Sequence, residues 1–255
     1  MSSEKPFPLA IDTHLHLHFK EFDSEREKVI QNCAERGIIL INSSIGPEEV
    51  EVASRLARDH KNVYWTLGLR ASSTNLTVAE ETITLLKKYR KEIVGVGEVG
   101  LDYYWVKDKE ERKLEEKIFQ NFIEVSVKLN LPLVVHSRDA EGRTLSILEE
   151  MDKPALLHCF SGSLEQAERA ISFGCLISIP TSILYSKRKQ EIARVLPLNS
   201  IVLESDSPYL SPIPKTKNTP LNILKSAEFI AKLREISTSE VLEKTTLNAQ
   251  KFFNL

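Results

Sequence analysis

The chain has little of what marks several large protein classes. Its three cysteines, Cys33, Cys159 and Cys175, form an odd set with no C-x-x-C spacing. They read as reduced core thiols of a cytoplasmic protein, not as a disulfide framework. No run of eighteen apolar residues occurs, so no membrane span is expected. The opening segment, MSSEKPFPLAIDTH, lacks a basic stretch followed by an apolar one, so no secretory leader is read there. A basic excess is missing too. The formal net charge of −2 argues against a protein that coats nucleic acid, yet leaves room for a local grip on phosphate. No G-x-G-x-x-G follows the first predicted strand and no Walker loop appears, which weakens the nucleotide-binding α/β classes. Low-complexity tracts, long linkers and strict repeats are absent, and nothing points to an obligate protein partner.

What the chain does have is the composition of an ordinary globular protein, 42% hydrophobic and 27% charged over 255 residues. Eight short apolar runs recur along it: 9–12, 38–42, 63–69, 93–98, 131–136, 154–160, 175–180 and 201–206. Between them lie stretches with apolar residues at helical spacing, such as 26–37, 79–90 and 113–129. Two further helices are expected over 221–234 and 238–252. The segment 207–220 holds four prolines and reads as an extended surface loop. Eight strands alternating with helices call for a parallel sheet, and a chain of this length closes it economically into a single-domain (β/α)₈ TIM barrel. An open doubly wound sheet is the rival architecture.

Five of the six histidines fall at or just beyond the ends of predicted strands. His14, His16 and His18 follow the first, His136 ends the fifth and His158 the sixth. Glu98 ends the fourth and Asp206 the eighth. His60, in a helical stretch, is read as a surface residue. In a closed parallel barrel the strand C-terminal ends converge on one mouth, so these residues become neighbours. His14 and His16, two apart, share a face of an extended strand. Taken alone, H-x-H also suits a pair of core or surface histidines, though less readily. Four imidazoles with two carboxylates, however, make a donor set suited to Zn²⁺, Mn²⁺ or, less comfortably, Mg²⁺. Without an ion, that much buried polar surface would be costly.

One bridging carboxylate would make the site binuclear. Two divalent ions with these donors and a bridging hydroxide would carry about +1, ready to receive an anionic phosphodiester. Asp206 is the candidate acceptor for the attacking water's proton.

At these residues the sequence resembles the TatD-like metal-dependent deoxyribonucleases of the amidohydrolase superfamily. The resemblance runs from Asp12 to Phe253. Its motifs appear in family order: D-T-H-L-H (12–16), G-E-V-G-L-D (97–102), L-P-L-V-V-H-S-R-D-A (131–140), H-C-F-S-G (158–162), E-S-D-S-P-Y-L (204–210) and T-L-N-A-Q-K-F-F (246–253). It implies metal ligands at His14, His16, Glu98, His136, His158 and Asp206, with Glu98 bridging. It also implies hydrolysis of DNA with a divalent cation, in several members from the 3′ end. Related families that carry a carboxylated lysine on strand four are set apart, because no lysine lies between Glu92 and Trp105. Three positions depart from the family pattern. Arg70 stands in G-L-R-A where a histidine is usual, His18 where Asp or Asn is usual, and Ser205 where Thr is usual. None removes a ligand.

Several neighbours carry two readings. Arg138 and Arg70 are candidates to clamp phosphate, or they pair with carboxylates, Arg138 with Asp139. Ser161 and Gly162 offer donors to substrate, or only a turn into the helix at 163. Tyr103, Tyr104 and Trp105 pack beneath a loop, the commoner fate, or stack on a nucleobase. Glu204 shares parity with Asp206 and reads as a support of the site or a competing ligand, and Asp12, with the parity of His14, as a support or a buried hydrogen-bond partner. Cys159 is expected to face away into the helix layer. The leading function is a deoxyribonuclease acting on single strands or ends. Hydrolysis of another ester by the same centre, as on aminoacyl-tRNA, is the alternative, and a barrel that only binds a partner is the third.

Overall fold

The computed structural model describes residues 8–213 and 215–255. The first seven residues, half of the opening segment on which the leader reading falls, and Pro214 of the proline-rich loop lie outside them. Eight parallel strands stand in chain order in one sheet: β1 (Ala10–Leu15), β2 (Ile38–Ser44), β3 (Val63–Leu67), β4 (Gly95–Asp102), β5 (Leu133–Arg138), β6 (Leu156–Leu157), β7 (Leu176–Pro180) and β8 (Ile201–Glu204). The sheet curls into a barrel. Its last strand meets its first at the C-terminal mouth, where Asp206 N–H donates to His14 O and His16 N–H to Ser207 O, each at 2.9 Å. The rival open sheet is thereby excluded.

The helices are α1 (Arg26–Glu35), α2 (Val50–Asp59), α3 (Leu76–Lys88), α4 (Lys109–Leu129), α5 (Glu141–Glu150), α6 (Leu164–Ser172), α7 (Lys187–Val195), α8 (Ile223–Arg234) and α9 (Thr238–Phe253). Local signals set several of their starts. Asn75 and Asp108 cap α3 and α4, and Ser163 with Gln166 forms a reciprocal capping box on α6. Among the described residues, no helix is long and apolar enough to cross a membrane.

Both faces of each strand are covered, which is why the runs read as continuous apolar segments. A large core lies between strands and helices and includes Leu40, Trp65, Phe119 and Phe122. A smaller one joins Ile11, Ile41, Val134, Leu156 and Val202 to Ala249 and Phe253 at the end of α9. Buried hydroxyls pair between strands, Thr13 of β1 with Ser178 of β7 at 3.3 Å and Thr66 of β3 with Ser43 of neighbouring β2 at 3.3 Å.

Two expectations need correction. The sixth run shrinks to a two-residue strand, because the chain leaves extended geometry at Cys159, whose φ is +47°. The proline-rich loop is not merely a surface excursion. Asn218 is fully buried and donates to Ser205 O at 2.7 Å and to Thr181 Oγ1 at 2.9 Å, which pins the loop over the end of β8.

The segment G-V-G-E-V-G (95–100) spells a G-x-G-x-x-G pattern, yet it runs inside β4 and opens no helix. Its glycines serve close approach. A Cβ at Gly100, which sits at φ +150°, would lie 2.0 Å from His136 O, and one at Gly68 would lie 2.1 Å from Glu98 O. Gly100→Ala is therefore expected to cost on the order of 3 kcal/mol through backbone strain and overpacking. A fall in unfolding temperature of roughly 5–10 °C should follow. Calorimetry of the two proteins checks it, and an unchanged midpoint would contradict the close-approach argument.

Candidate metal centre

The barrel brings all six sequence-selected donors to its mouth. His14 lies on β1, His16 just beyond it, Glu98 on β4, His136 on β5, and His158 immediately after β6. Asp206 lies two residues past β8, at φ +53°. Their ligand atoms fall into overlapping groups, each within 4.8 Å: His14, His16 and Glu98; Glu98, His136 and His158; His14, His158 and Asp206. Glu98 belongs to two of them. One of its oxygens lies 3.1 Å from His14 Nε2 and 3.9 Å from His16 Nε2, the other 2.9 Å from His136 Nδ1. His16 Nε2 also lies 3.6 Å from Asp206 Oδ1.

Other residues orient these rings from behind. Asp102 Oδ2 holds His136 Nε2 at 3.1 Å, so Nδ1 faces the cluster. Glu204 takes His158 Nδ1 at 2.9 Å and the Cys159 N–H at 2.8 Å. Ser43 O lies 2.9 Å from His16 Nδ1. Each ring is thus committed on one nitrogen and turned inward on the other, the arrangement metal-ligating histidines use. Glu204 was anticipated. Sequence reading missed the role of Asp102, which closes the motif G-E-V-G-L-D, although its even spacing from Glu98 along β4 is a parity signal. Asp12 is buried and accepts from the Ser205 N–H at 2.8 Å. The β1–β2 register shifts between Asp12 and Leu15, so strand parity does not carry from Asp12 to His16.

The charges compete. Burial would raise Glu98, but the charge of His158 and the contacts to His136 and His14 outweigh it and hold the carboxyl well below its usual range. Burial likewise opposes ionisation of Asp206, and the His16 contact with the charges of His158 and His14 overcomes it. Burial would lower His136; its contacts with Asp102 and Glu98 instead push it up to about 10. His158 is driven to about 9 against burial by Glu204 and Glu98. Burial and the neighbouring His158 lower His14 from its ordinary value. His14 Nδ1 has no hydrogen-bond partner among the described residues, and His14 Nε2 and His136 Nδ1 meet Glu98 at short distance without hydrogen-bond geometry. Buried polar atoms left this way call for a ligand, and a divalent cation fits the donor set.

Five of the six donors, all but the fully buried His14, line a cavity of about 610 Å³. Arg70, Arg138 and Ser161 also line it. Neither Arg70 nor Arg138 pairs with a carboxylate among the described residues. The Arg138 guanidinium instead lies over the Tyr104 ring at 3.8 Å. Ser161 Oγ donates to Cys159 O within its own turn. Cys159 lines the cavity and does not face the helix layer, because its left-handed backbone breaks strand alternation. Burial pushes its thiol up to about 12, so it is not a thiolate. His18 turns away from the cluster, with Nε2 2.9 Å from Glu49 and Nδ1 3.1 Å from Asn42. His60 is half-buried and 3.2 Å from Glu27.

Lys189 was missed by sequence reading, since a lysine in a basic helical run looks solvated. Its ammonium is buried at the cavity wall, donating to Phe160 O at 2.8 Å, Cys159 O at 3.2 Å and Ser161 Oγ at 3.3 Å. It fastens the turn that carries His158.

A closed parallel barrel with imidazoles and carboxylates converging at its C-terminal mouth defines a metal-dependent hydrolase scaffold. The model of the TatD related DNase family matches residues 11–254. An uncharacterized metal-dependent hydrolase of Methanocaldococcus jannaschii is 35% identical, over 95% of this chain and 96% of that one. Human deoxyribonuclease TATDN3 is 33% identical over 95% and 94% of the two chains. The crystal structure of the TatD homologue YJJV from Escherichia coli superposes with a TM-score of 0.90 at 25% identity, covering 98% of this chain and 99% of that one. The chain belongs to the TatD family and is an enzyme of the metal-dependent hydrolase class.

Cation binding must expel the protons that His136 and His158 hold at pH 7. Apparent affinity for Zn²⁺ or Mn²⁺ is therefore expected to rise as pH increases from 6 toward 9, with proton release on binding. Calorimetric titration in buffers of different ionisation enthalpy measures both; pH-independent affinity without proton release would oppose this ligand set.

Proposed function

We propose that the protein hydrolyses DNA phosphodiester bonds at a centre of two divalent cations held by His14, His16, Glu98, His136, His158 and Asp206. The carrying observation is that two donor groups meet at Glu98 and share its two oxygens. Glu98 is the candidate bridge. Bound ions would supply a water of lowered pKa and offset charge on the phosphoryl oxygens. Mg²⁺, Mn²⁺ and Zn²⁺ are the candidates, and the nitrogen-rich set favours the latter two.

The protein's own groups then divide the work. Asp206, held ionised at neutral pH, is the proton acceptor for the attacking water. Arg70 and Arg138, at the cavity wall and uncompensated by carboxylates, are the phosphate contacts, with Ser161 offering its hydroxyl. A cavity of about 610 Å³ is of small-ligand size, which suits a strand end better than a duplex. We accordingly infer exonucleolytic action on single strands or ends. The named activity of human TATDN3 supports DNA as the substrate.

The direct test is release of nucleotides from end-labelled single-stranded DNA, duplex DNA and charged tRNA, with each metal and with EDTA. Cleavage of single-stranded DNA, abolished by chelation and restored by metal, is expected. Full activity after exhaustive EDTA dialysis would overturn the metal-dependent reading, and deacylation of tRNA without DNA cleavage would move the substrate to an aminoacyl ester.

Asp206→Asn should fold normally, because the barrel mouth contributes little to stability. An amide oxygen still coordinates weakly but takes no proton at neutral pH. Loss of the base is expected to lower turnover at saturating metal by ~10²–10⁴-fold. Near-normal turnover would reassign the role, with Glu204 the next residue to substitute.

A further inference from the structure

The aromatic residues around the cavity are distributed unevenly between core and solvent. Of the sequence-selected trio, Tyr103 is packed on the core, and its hydroxyl donates to Glu116 at 2.7 Å. Trp105 is different. It is 66% exposed, the most exposed large apolar side chain among the described residues, and it lines the cavity that holds the metal donors. Its place is fixed from below, where Asp102 Oδ1 accepts the N–H groups of Tyr104 and Trp105, each at 3.1 Å. The ring is thus presented, at the cost of leaving it in water, by the same carboxylate that orients His136.

A second aromatic wall stands across the mouth. Tyr209, 52% exposed, lines the cavity after β8 and meets Phe19 edge-to-face at 6.1 Å. Phe19 in turn stacks on His16 at 4.6 Å. In an eight-stranded barrel with strands in chain order, the ends of β4 and β8 lie on opposite sides. Two exposed rings therefore face the cavity from opposite rims, with the donor cluster between them. Cations line the same cavity: Arg138 over Tyr104 beside Trp105, and Arg70 beyond the end of β3.

Alternating flat apolar surfaces and guanidinium groups around an anion-receiving centre match a strand of unpaired nucleotides. Phosphates meet the cations and bases meet the rings. We propose that Trp105 and Tyr209 are base-stacking walls that select unpaired strands, by placing nucleobases on either side of the bond over the metal centre. This rests on the nucleic-acid reading above and names the residues that set its strand preference. A duplex has its base faces already covered by neighbouring pairs and gains nothing from either ring. The stack also tolerates any base, so little sequence preference is expected.

The test separates stacking from hydrolysis. The two tryptophans differ in exposure, Trp65 being fully buried, so acrylamide quenching of the metal-loaded protein reads Trp105. Asp206→Asn, used to prevent turnover, is titrated with oligothymidylate, oligouridylate, an abasic strand of equal length and a blunt duplex. Protection of Trp105 by strands that carry bases, and by neither the abasic strand nor the duplex, is expected. The two pyrimidine strands tell deoxyribose from ribose.

In the active protein, Trp105→Ala should raise KM about tenfold on oligothymidylate and leave KM on the abasic strand unchanged. Trp105→Phe should restore most of the loss. Absence of protection, or equal KM changes on both strands, overturns the stacking proposal even if DNA is hydrolysed. Protection without hydrolysis by the active protein would uphold stacking while overturning the nuclease reading.

Discussion

The structure of the mouth depends on one buried carboxylate. Glu98 is 8% exposed and has imidazole nitrogens about both oxygens. An isolated charge in such a place would neutralise itself by taking a proton. Here the surrounding imidazoles hold the carboxyl ionised, and the rest of the mouth is built to keep them there. Glycine at 100 lets β5 come close enough to bring His136 to the carboxylate. Glycine at 68 clears the Glu98 carbonyl. Asp102, Glu204 and the Ser43 carbonyl each seize one nitrogen of a ring and leave the other turned inward. Removing Glu98 would leave these devices with nothing to organise.

The barrel separates this polar assembly from the source of its stability. Apolar residues from β1, β2, β5, β6 and β8 meet the end of α9 in an inner core. A larger core binds the strands to the helices. The donors, by contrast, gather toward the mouth: His14, Glu98 and His136 on the strands themselves, His136 still paired with Gly100, and His16, His158 and Asp206 just past strand ends. Asp206 and Cys159 occupy left-handed backbone there, a cost that a rigid barrel can bear. Site geometry can therefore be strained without loosening the fold.

Much of this was legible in the sequence because chemistry and period coincide in a barrel. Five of the eight apolar runs carry donors at or just past their ends, and a parallel barrel brings strand ends together whatever their separation along the chain. What stayed hidden depended on departures from regular geometry. Strand parity assigned Cys159 to the helix layer, but a two-residue β6 followed by a left-handed residue turned it into the cavity. Lys189 was invisible because only tertiary structure tells a buried ammonium from a solvated one. The aromatic trio could not be divided by type, since Asp102 decides which rings are held out to solvent.

The outer partners make the two donor groups unequal. His136 and His158, which share a group with Glu98, lean on carboxylates, whereas His16 leans on a carbonyl and His14 on nothing among the described residues. A carboxylate behind an imidazole raises its basicity and its strength as a ligand. Under the proposed metal reading, the Glu98–His136–His158 side is the stronger donor set once its protons are displaced. The Glu98–His14–His16 side has the weaker donors but the lower proton competition at His14. Acidic conditions narrow the difference between the two sides, because protons compete hardest where the ligands are most basic. Asp206 approaches His14, His16 and His158 alike, so it touches both sides, which is where a group that takes a proton from a water shared between them has to stand.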